Sequence, residues 1–304
     1  MNTIRWYQVS MLLLCALVTN HGFAQQEQSP LGSLDTIKIE KLTGVKGKLD
    51  TAENVFKVSV PRTDLTVTVA GVKMIPAMGF TSWVAFKSAG NQVMVMGDMV
   101  LQEDQVNPVL GIALDNGIEV TALHNHFLWD TPKVMFMHIG GMGDIEKLAT
   151  GVGKIFQEIK KTSGDKVHAP HTPFAASKTS LDPKAIETII GVPVEKAGEI
   201  YKVTLGRSTM MAGHDVGKVM GVNTWAAFAG SDKSAVVDGD FAMLESELQG
   251  VLKALRNAGI FITAIHHHMI AESPKIVFLH YWGVGSVNDL AKAIKSALNS
   301  QAQS

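Results

Sequence analysis

Short stretches in which apolar and polar residues alternate recur through the first half of the chain, and this period-two pattern is typical of half-buried β-strands. Turn residues separate four such stretches, at 55–60, 65–69, 81–86 and 92–101. Apolar positions then take helical spacing from Glu103 to Asp115, and Asn116 and Gly117 are expected to end that helix. The pattern predicts a group of strands followed by a helix.

A second group of strands and a closing helix come next. Segments 118–127 and 133–139 are expected to form a β-hairpin, and 144–160 has the spacing of an amphipathic helix. A short helix capped by Asp35 is expected to precede all of these elements and to end at Gly44. The core order β-β-α-β-β-α predicts the α+β class, with a mainly antiparallel sheet and helices packed on one face.

The same set of features occurs twice. The run Thr121–His126 matches Thr263–His268, and His138 matches His280, with each pair 142 residues apart. We therefore predict two homologous modules related by a pseudo-twofold axis. The first covers 34–160, a linker rich in Ser, Thr, Pro and Lys covers 161–180, and the second covers 181–299.

The amino-terminal residues have the features of a secretory signal peptide. Residues 1–24 combine Arg5, an apolar run at 11–18 and small residues just before Gln25. The apolar run is too short to span a bilayer, so a periplasmic or secreted protein without a stable membrane anchor is expected. The only cysteine, Cys15, lies in this leader, so the mature part would have neither disulfides nor thiolate ligands.

The balance of charged residues argues against a nucleic-acid partner. Lys and Arg number 27 and Asp and Glu number 28, which gives a formal net charge of −1. Such a chain lacks the basic footprint of a nucleic-acid-binding protein. A small-molecule substrate or a free metal ion is therefore the expected partner, and the oligomeric state stays open.

Six of the eleven histidines occupy repeated positions: His124, His126, His138, His266, His268 and His280. Side chains at i and i+2 of a strand leave the same face about 6.6–6.8 Å apart, so each His-x-His pair can converge on one ion. The third histidine joins that pair only if the hairpin register places His138 opposite Ala122 rather than opposite Thr121. Zinc is the expected metal, and copper is the alternative.

Other residue types extend this hypothesis. Asp98 and Asp240, on a neighbouring predicted strand, are candidate further ligands or groups that orient a bound water. Glu119 is a candidate proton carrier in the first module. Lys133 and Lys275 each follow a proline near the histidines and are candidates for binding an anionic substrate.

Methionines and glycines near the histidines have simpler interpretations. Met94, Met96, Met135 and Met137 alternate along predicted strands and could line a site for a soft metal, but we expect them to fill the core. The glycine-rich run 140–143 precedes a predicted helix and is read as a strand-to-helix turn.

At several of these motifs the chain resembles the LppY/LpqO family of exported bacterial proteins. The resemblance is carried by Ala77–Gly79, Trp83–Phe86, Met96–Asp98, Val106–Pro108, Glu119–His126 and Phe136–Gly140. It covers nearly the whole mature chain and implies export and a duplicated domain, but no particular reaction. The second copy departs from the pattern, because Gln249 and Gly250 replace the Asn-Pro pair and Phe261 replaces Glu119.

Three functions follow as alternatives. The first is a zinc-dependent hydrolase of a small ester, lactone or amide, in which Asp98 or Glu119 orients the metal-bound water or carries its proton. The second is a non-catalytic protein that binds or senses copper or zinc outside the cytoplasm. The third is an envelope interaction module whose histidines are structural.

Overall fold

The computed structural model describes residues 34–162 and 174–301. The predicted signal peptide, residues 1–24, and residues 163–173 of the predicted linker lie outside this part. Among the described residues, no helix is both long and apolar enough to cross a membrane.

Residues 34–162, the described part of the first half, contain three α-helices and nine strands. They are α1 (Thr36–Thr43), β1 (Gly47–Asp50), β2 (Val55–Pro61), β3 (Thr68–Val69), β4 (Val72–Lys73), β5 (Thr81–Ala89), β6 (Gln92–Gln102), α2 (Glu103–Asp115), β7 (Glu119–His124), β8 (Asp130–Thr131), β9 (Val134–Gly143) and α3 (Ile145–Thr162). A 3-10 helix, Pro76–Met78, precedes β5.

Residues 174–301 largely repeat this order, with three α-helices and eight strands. They are α4 (Pro183–Ile190), β10 (Glu195–Ala197), β11 (Ile200–Gly206), β12 (Thr209–Met211), β13 (His214–Val216), β14 (Asn223–Gly230), β15 (Ala235–Leu244), α5 (Leu248–Asn257), β16 (Phe261–His266), β17 (Ile276–Gly285) and α6 (Val287–Gln301). Short 3-10 helices lie at Ala176–Lys178, Lys218–Met220 and Glu245–Glu247.

The principal strands of both halves form one sheet of 12 strands. Their order is β1-β2-β5-β6-β9-β7-β16-β17-β15-β14-β11-β10, and the neighbouring strands pair antiparallel. Strands β7 and β16 meet at the centre, where Leu123 lies opposite Ile265, so the two halves share one sheet. The predicted α+β class with a mainly antiparallel sheet is confirmed.

One apolar core runs through both halves. It joins strand residues such as Val95 and Ile139 to helix residues such as Leu110, Val152 and Leu252. Burying each such side chain fully contributes about 1.5–3 kcal/mol relative to leaving it exposed. The helices therefore cover one face of the sheet, and side chains at the alternate strand positions point to the other face.

The short helices begin and end where their capping residues predict. Asp35 Oδ1 accepts a hydrogen bond from the Lys38 backbone N–H at 2.9 Å, and Gly44 ends α1 with a left-handed φ of 70°. Asp182 and Gly191 do the same for α4, where φ of Gly191 is 84°. Each carboxylate cap stabilises its helix by about 1 kcal/mol, because it satisfies an N–H that has no partner within the helix.

Two sequence predictions are wrong in detail. The segment 65–69 forms a strand only at Thr68–Val69, where it pairs with the two-residue strands β4 and β8. The glycine-rich run 140–143 is the end of β9 rather than a turn, because Gly143 still pairs with Val93 of β6. A long strand partner on β6 therefore overrides the local preference of glycine for turns.

Side-chain amides join the two halves where the central strands bulge. The pairing of β7 with β9 shifts between Val120 and Ala122, which leaves Thr121 as an extra residue. The Val120 N–H donates to Gln249 Oε1 at 3.1 Å, and Gln249 Nε2 donates to the Val120 carbonyl oxygen at 2.9 Å. A helix of the second half thus satisfies the backbone of a strand in the first.

The reverse contact has the same form. The pairing of β16 with β17 shifts between Ile262 and Ala264. The Ile262 N–H donates to Asn107 Oδ1 at 2.8 Å, and Asn107 Nδ2 donates to the Ile262 carbonyl oxygen at 3.3 Å. Gln249 stands 142 residues after Asn107 and is therefore its equivalent in the second module. The replacement of asparagine by glutamine keeps the amide contact between the modules.

We predict that Asn107→Ala lowers the free energy of unfolding by about 2–4 kcal/mol, because a buried N–H and a buried carbonyl lose their partners. Gln249→Ala should cost less, because Gln249 is only half-buried and water can replace part of its contacts. Urea unfolding followed by tryptophan fluorescence measures both changes. The exposed helix residue Asn288 provides the control, and equal losses for Asn107→Ala and Asn288→Ala would contradict the role of the amide.

Candidate metal centre

The register of the hairpin formed by β7 and β9 decides whether the third histidine of the first module joins the other two. His138 lies opposite Ala122, and His124 lies opposite Phe136. This is the register that the sequence hypothesis required, because it places His138 on the same face as His124. The ring centroid of His124 is 5.1 Å from that of His138 and 5.2 Å from that of His126. Ligand nitrogens of the three rings all lie within 4.8 Å of one another.

Aromatic packing holds the most exposed of these rings. The imidazole of His126 stacks on Phe136, with centroids 3.3 Å apart and an interplanar angle of 4°. Phe136 itself is fully buried in a small apolar cluster. In this cluster, side chains from the segment between β2 and β5 pack over one end of the sheet. The other buried members are Val67, Met74, Phe80, Val100 and Val134. This cluster fixes the position of His126 although the chain after β7 is a loop.

A buried carboxylate lies beside the three imidazoles. Asp98 on β6 lies opposite His138, and only 9% of its surface is exposed. Its Oδ1 atom is buried and has no hydrogen-bond partner among the described residues. Burial raises the pKa of Asp98, and the nearby rings of His138, His126 and His124 oppose that rise. An unpaired buried carboxylate oxygen is costly, so this arrangement favours a cation or a proton donor at the site.

The second module repeats this geometry. His280 lies opposite Ala264, and the centroid of His266 is 4.8 Å from that of His280 and 5.0 Å from that of His268. His268 stacks on Phe278 at 3.5 Å, as His126 does on Phe136. The same hairpin register therefore brings three imidazole rings near one another twice, but in the second module the ligand atoms that lie within 4.8 Å of one another belong to Asp240, His266 and His268 and not to His280.

The carboxylate lies closer to the imidazoles in the second module than in the first. Asp240 Oδ2 is 3.5 Å from His268 Nε2, and ligand atoms of Asp240, His266 and His268 lie within 4.8 Å of one another. Asp240 Oδ1 also accepts a hydrogen bond from the Leu279 N–H at 3.1 Å. His266 Nε2 is buried without a partner among the described residues. The second cluster thus includes a carboxylate as a potential ligand.

Backbone contacts can fix the tautomer of two of these rings, and burial favours the neutral form of two others. Nδ1 of His124 lies 3.3 Å from the Asn125 carbonyl oxygen, and Nδ1 of His280 lies 3.2 Å from the Gly239 carbonyl oxygen. A ring that donates through Nδ1 leaves Nε2 free to bind a metal. Burial lowers the pKa of His126, and it also lowers the pKa of His266. Neutral imidazole is the form that metal ions bind.

The structure does not link the other candidate residues to the histidines. Glu119 is exposed at the start of β7, opposite Gly140, and Lys133 is exposed just before β9. Lys275 Nζ lies 3.7 Å from Glu245 Oε1 in an exposed ion pair. Among the hydrogen bonds and ion pairs of the described residues, none joins these three side chains to a histidine. Their roles in proton transfer and substrate binding stay predictions.

The prediction that four methionines fill the core is wrong for two of them. Met137 is fully buried and Met135 is partly buried against the core, but Met94 is 38% exposed and Met96 is 62% exposed. The exposed pair lies at alternate positions of β6 with Asp98, on the face opposite the helices. Sequence reasoning also missed the stacking role of Phe136, although its position two residues before His138 is a usable signal for a shared strand face.

Comparisons with known proteins identify a family but no activity. The chain belongs to the family described as Domain of Unknown Function (DUF1259), whose model matches residues 37–158 and residues 184–300. A search of curated proteins found no match. The chain is similar to the crystal structure of a trimeric bacterial microcompartment shell protein, PduB, at 13% identity over 84% of this chain and 90% of that chain, with a TM-score of 0.20. So weak a likeness carries no argument.

We expect Asp98→Asn to raise the urea midpoint of the metal-free protein at pH 7, because the neutral amide removes an ionised carboxylate from a buried position. Burial raises the pKa of Asp98 in the folded protein. Below the pKa of the unfolded chain the carboxyl is protonated in both states and costs no stability. As pH rises through the folded-state pKa the buried group ionises, and the folded protein loses stability. The gain over wild type should therefore grow from pH 4 to pH 7. Asp215→Asn, at an exposed position, is the control, and an equal gain in both variants would contradict the burial argument.

Proposed function

We propose that the protein is an exported metal-binding protein whose first module is a zinc-dependent hydrolase acting on a small ester, lactone or amide. The observation that carries this proposal is the convergence of His124, His126 and His138 to within 4.8 Å, with a buried carboxylate on the next strand. Three neutral imidazoles and no thiolate are the ligand set of zinc sites that keep one position open.

The chemistry of such a site matches the residues around it. Zinc, when bound, lowers the pKa of a coordinated water to about 7, which supplies hydroxide for attack on a carbonyl. Asp98 is placed to orient that water or accept its proton, because it lies opposite His138 and its Oδ1 has no partner among the described residues. The exposure of His126 leaves the cluster accessible from solvent.

We assign the second module a different role. Asp240 lies close enough to His266 and His268 to act as a ligand itself, and a carboxylate bound to the metal would not be free to orient a water as Asp98 is proposed to do. We infer that this module holds a metal for structural reasons. The reciprocal amide contacts of Asn107 and Gln249 support a pseudo-twofold relation between the modules. Export rests on the predicted leader and on the resemblance to the LppY/LpqO family.

A second candidate function is capture or sensing of copper or zinc outside the cytoplasm. The observation that favours it is the exposure of one ligand ring in each module, His126 and His268, since a surface ligand permits rapid exchange of metal. The third alternative, an envelope interaction module with structural histidines, requires that neither cluster bind metal.

Elemental analysis of purified protein separates metal binding from structural histidines. We expect His124→Ala/His126→Ala and His266→Ala/His268→Ala each to lose about one equivalent of metal. His214→Ala removes an exposed histidine outside both clusters and should keep the full content. Equal metal content in all four proteins would leave only the structural alternative.

Hydrolysis of activated esters, lactones and amides, measured with and without a chelator, separates the enzyme from the carrier. We expect chelator-sensitive turnover that zinc restores, and a loss of about 10²-fold or more in kcat for Asp98→Asn, because general acid–base groups contribute that much. The His266→Ala/His268→Ala variant should keep most of the activity. Full metal binding without chelator-sensitive turnover on any of these substrates would favour the carrier.

A further inference from the structure

Three exposed methionines lie together on the sheet face that carries the histidines. Met94 on β6 lies directly opposite Met142 on β9, and Met96 lies opposite Gly140. Their exposed fractions are 38% for Met94, 62% for Met96 and 54% for Met142. Because the helices pack on the other face, these thioethers contribute nothing to the main core.

The strand geometry allows the three sulfur atoms to meet. Side chains of a directly opposed pair have Cβ atoms about 4.5–5.5 Å apart, and side chains at i and i+2 leave the same face about 6.6–6.8 Å apart. A methionine side chain has three rotatable bonds and spans these separations. Gly140 leaves the space between them open, because a Cβ built there would meet no atom nearer than 3.7 Å.

The second module shows that the fold does not require methionine here. The residues 142 positions later are Val236, Asp238 and Val284, and Val236 again lies opposite Val284. The same strands pair in the same register with valine and aspartate at these sites. The methionines are therefore a property of the first module and not of the sheet.

We propose that Met94, Met96 and Met142 form a binding site for Cu(I). Thioethers are soft ligands that select Cu(I) over zinc, calcium or magnesium, and the described part of the chain contains no cysteine that would compete. The three methionines share no ligand with the histidine cluster. Met96 lies two residues before Asp98 on β6, and Asp98 is the residue opposite His138. The proposal does not rest on the hydrolase function.

Copper X-ray absorption of the full chain tests this site. All proteins carry Cys15→Ser, so that any sulfur bound to copper comes from methionine. They are loaded with one equivalent of Cu(I) without oxygen, after zinc has filled the histidine clusters. We expect sulfur scattering from wild type and its loss from Met94→Leu/Met96→Leu/Met142→Leu. Competition with a chromophoric Cu(I) chelator should show at least a 100-fold weaker affinity in that variant.

The matched control removes three exposed methionines of the second module, Met210, Met211 and Met220, also by leucine. It should bind Cu(I) as wild type does. Thermal unfolding of both triple variants should match wild type, which excludes a general loss of structure. Sulfur-ligated copper that persists without Met94, Met96 and Met142, or its absence from wild type, would overturn the proposal. So would loss of sulfur scattering in the control or in His124→Ala/His126→Ala.

Discussion

The bulge at Thr121, repeated at Thr263, is the constraint on which both the fold and the site depend. Val120 points into the core beneath the helices, and strict alternation along β7 would send His124 to the same side. The extra residue shifts the pattern by one, so Leu123 is buried and His124 emerges on the opposite face with His138. One extra residue in the backbone thus turns the side chain of His124 away from the core and towards the candidate metal site.

Such a bulge needs outside support, and the other half of the molecule provides it. The N–H and carbonyl of Val120 bond to Gln249, and those of Ile262 bond to Asn107. Strands β7 and β16 pair only at Leu123 and Ile265, so these amides supply much of the polar contact along the central joint. Each histidine cluster therefore depends on a side chain from the opposite module. This coupling explains why the duplicated units form one continuous sheet and one core.

Local features of the sequence were sufficient for much of the fold. Capping residues marked the short helices at Asp35 and Gly44, and apolar spacing marked the amphipathic helices, because both signals act within a few residues. The repeat alone picks out both sets of three histidines, because they occupy matching positions 142 residues apart. The sequence does not specify the register of the hairpin, because loop length and bulges decide it.

The remaining features depend on contacts that no local pattern contains. The amides of Asn107 and Gln249 act across 155 and 129 residues of chain, so neither the bulge nor its support is visible in a short window. Met94 and Met96 have the alternation of core residues, but alternation says only that two faces differ, not which face a helix covers. The exposed ion pair of Lys275 is likewise a tertiary contact that its neighbouring residues do not specify.

The two modules carry different residues at several positions that form hydrogen bonds between elements. Within the core, changed residues keep their contacts: Gln249 replaces Asn107 as an amide, and Arg207 bonds Glu247 where Arg62 bonds the equivalent Gln105. Asp64 supplies the charge that Gln105 lacks, because its carboxylate accepts from Arg62 at 2.8 Å.

On the sheet face that no helix covers, by contrast, several replacements change the chemistry of the side chain. Val236, Asp238 and Val284 stand where the first module has Met94, Met96 and Met142, and Trp282 takes the place of Gly140. Buried positions are held by volume and hydrogen-bond satisfaction, whereas an exposed strand position can change with little cost in stability. Two copies that share a core yet differ on one open face are therefore expected to have separated in function there, with the histidines as the chemistry they retain in common.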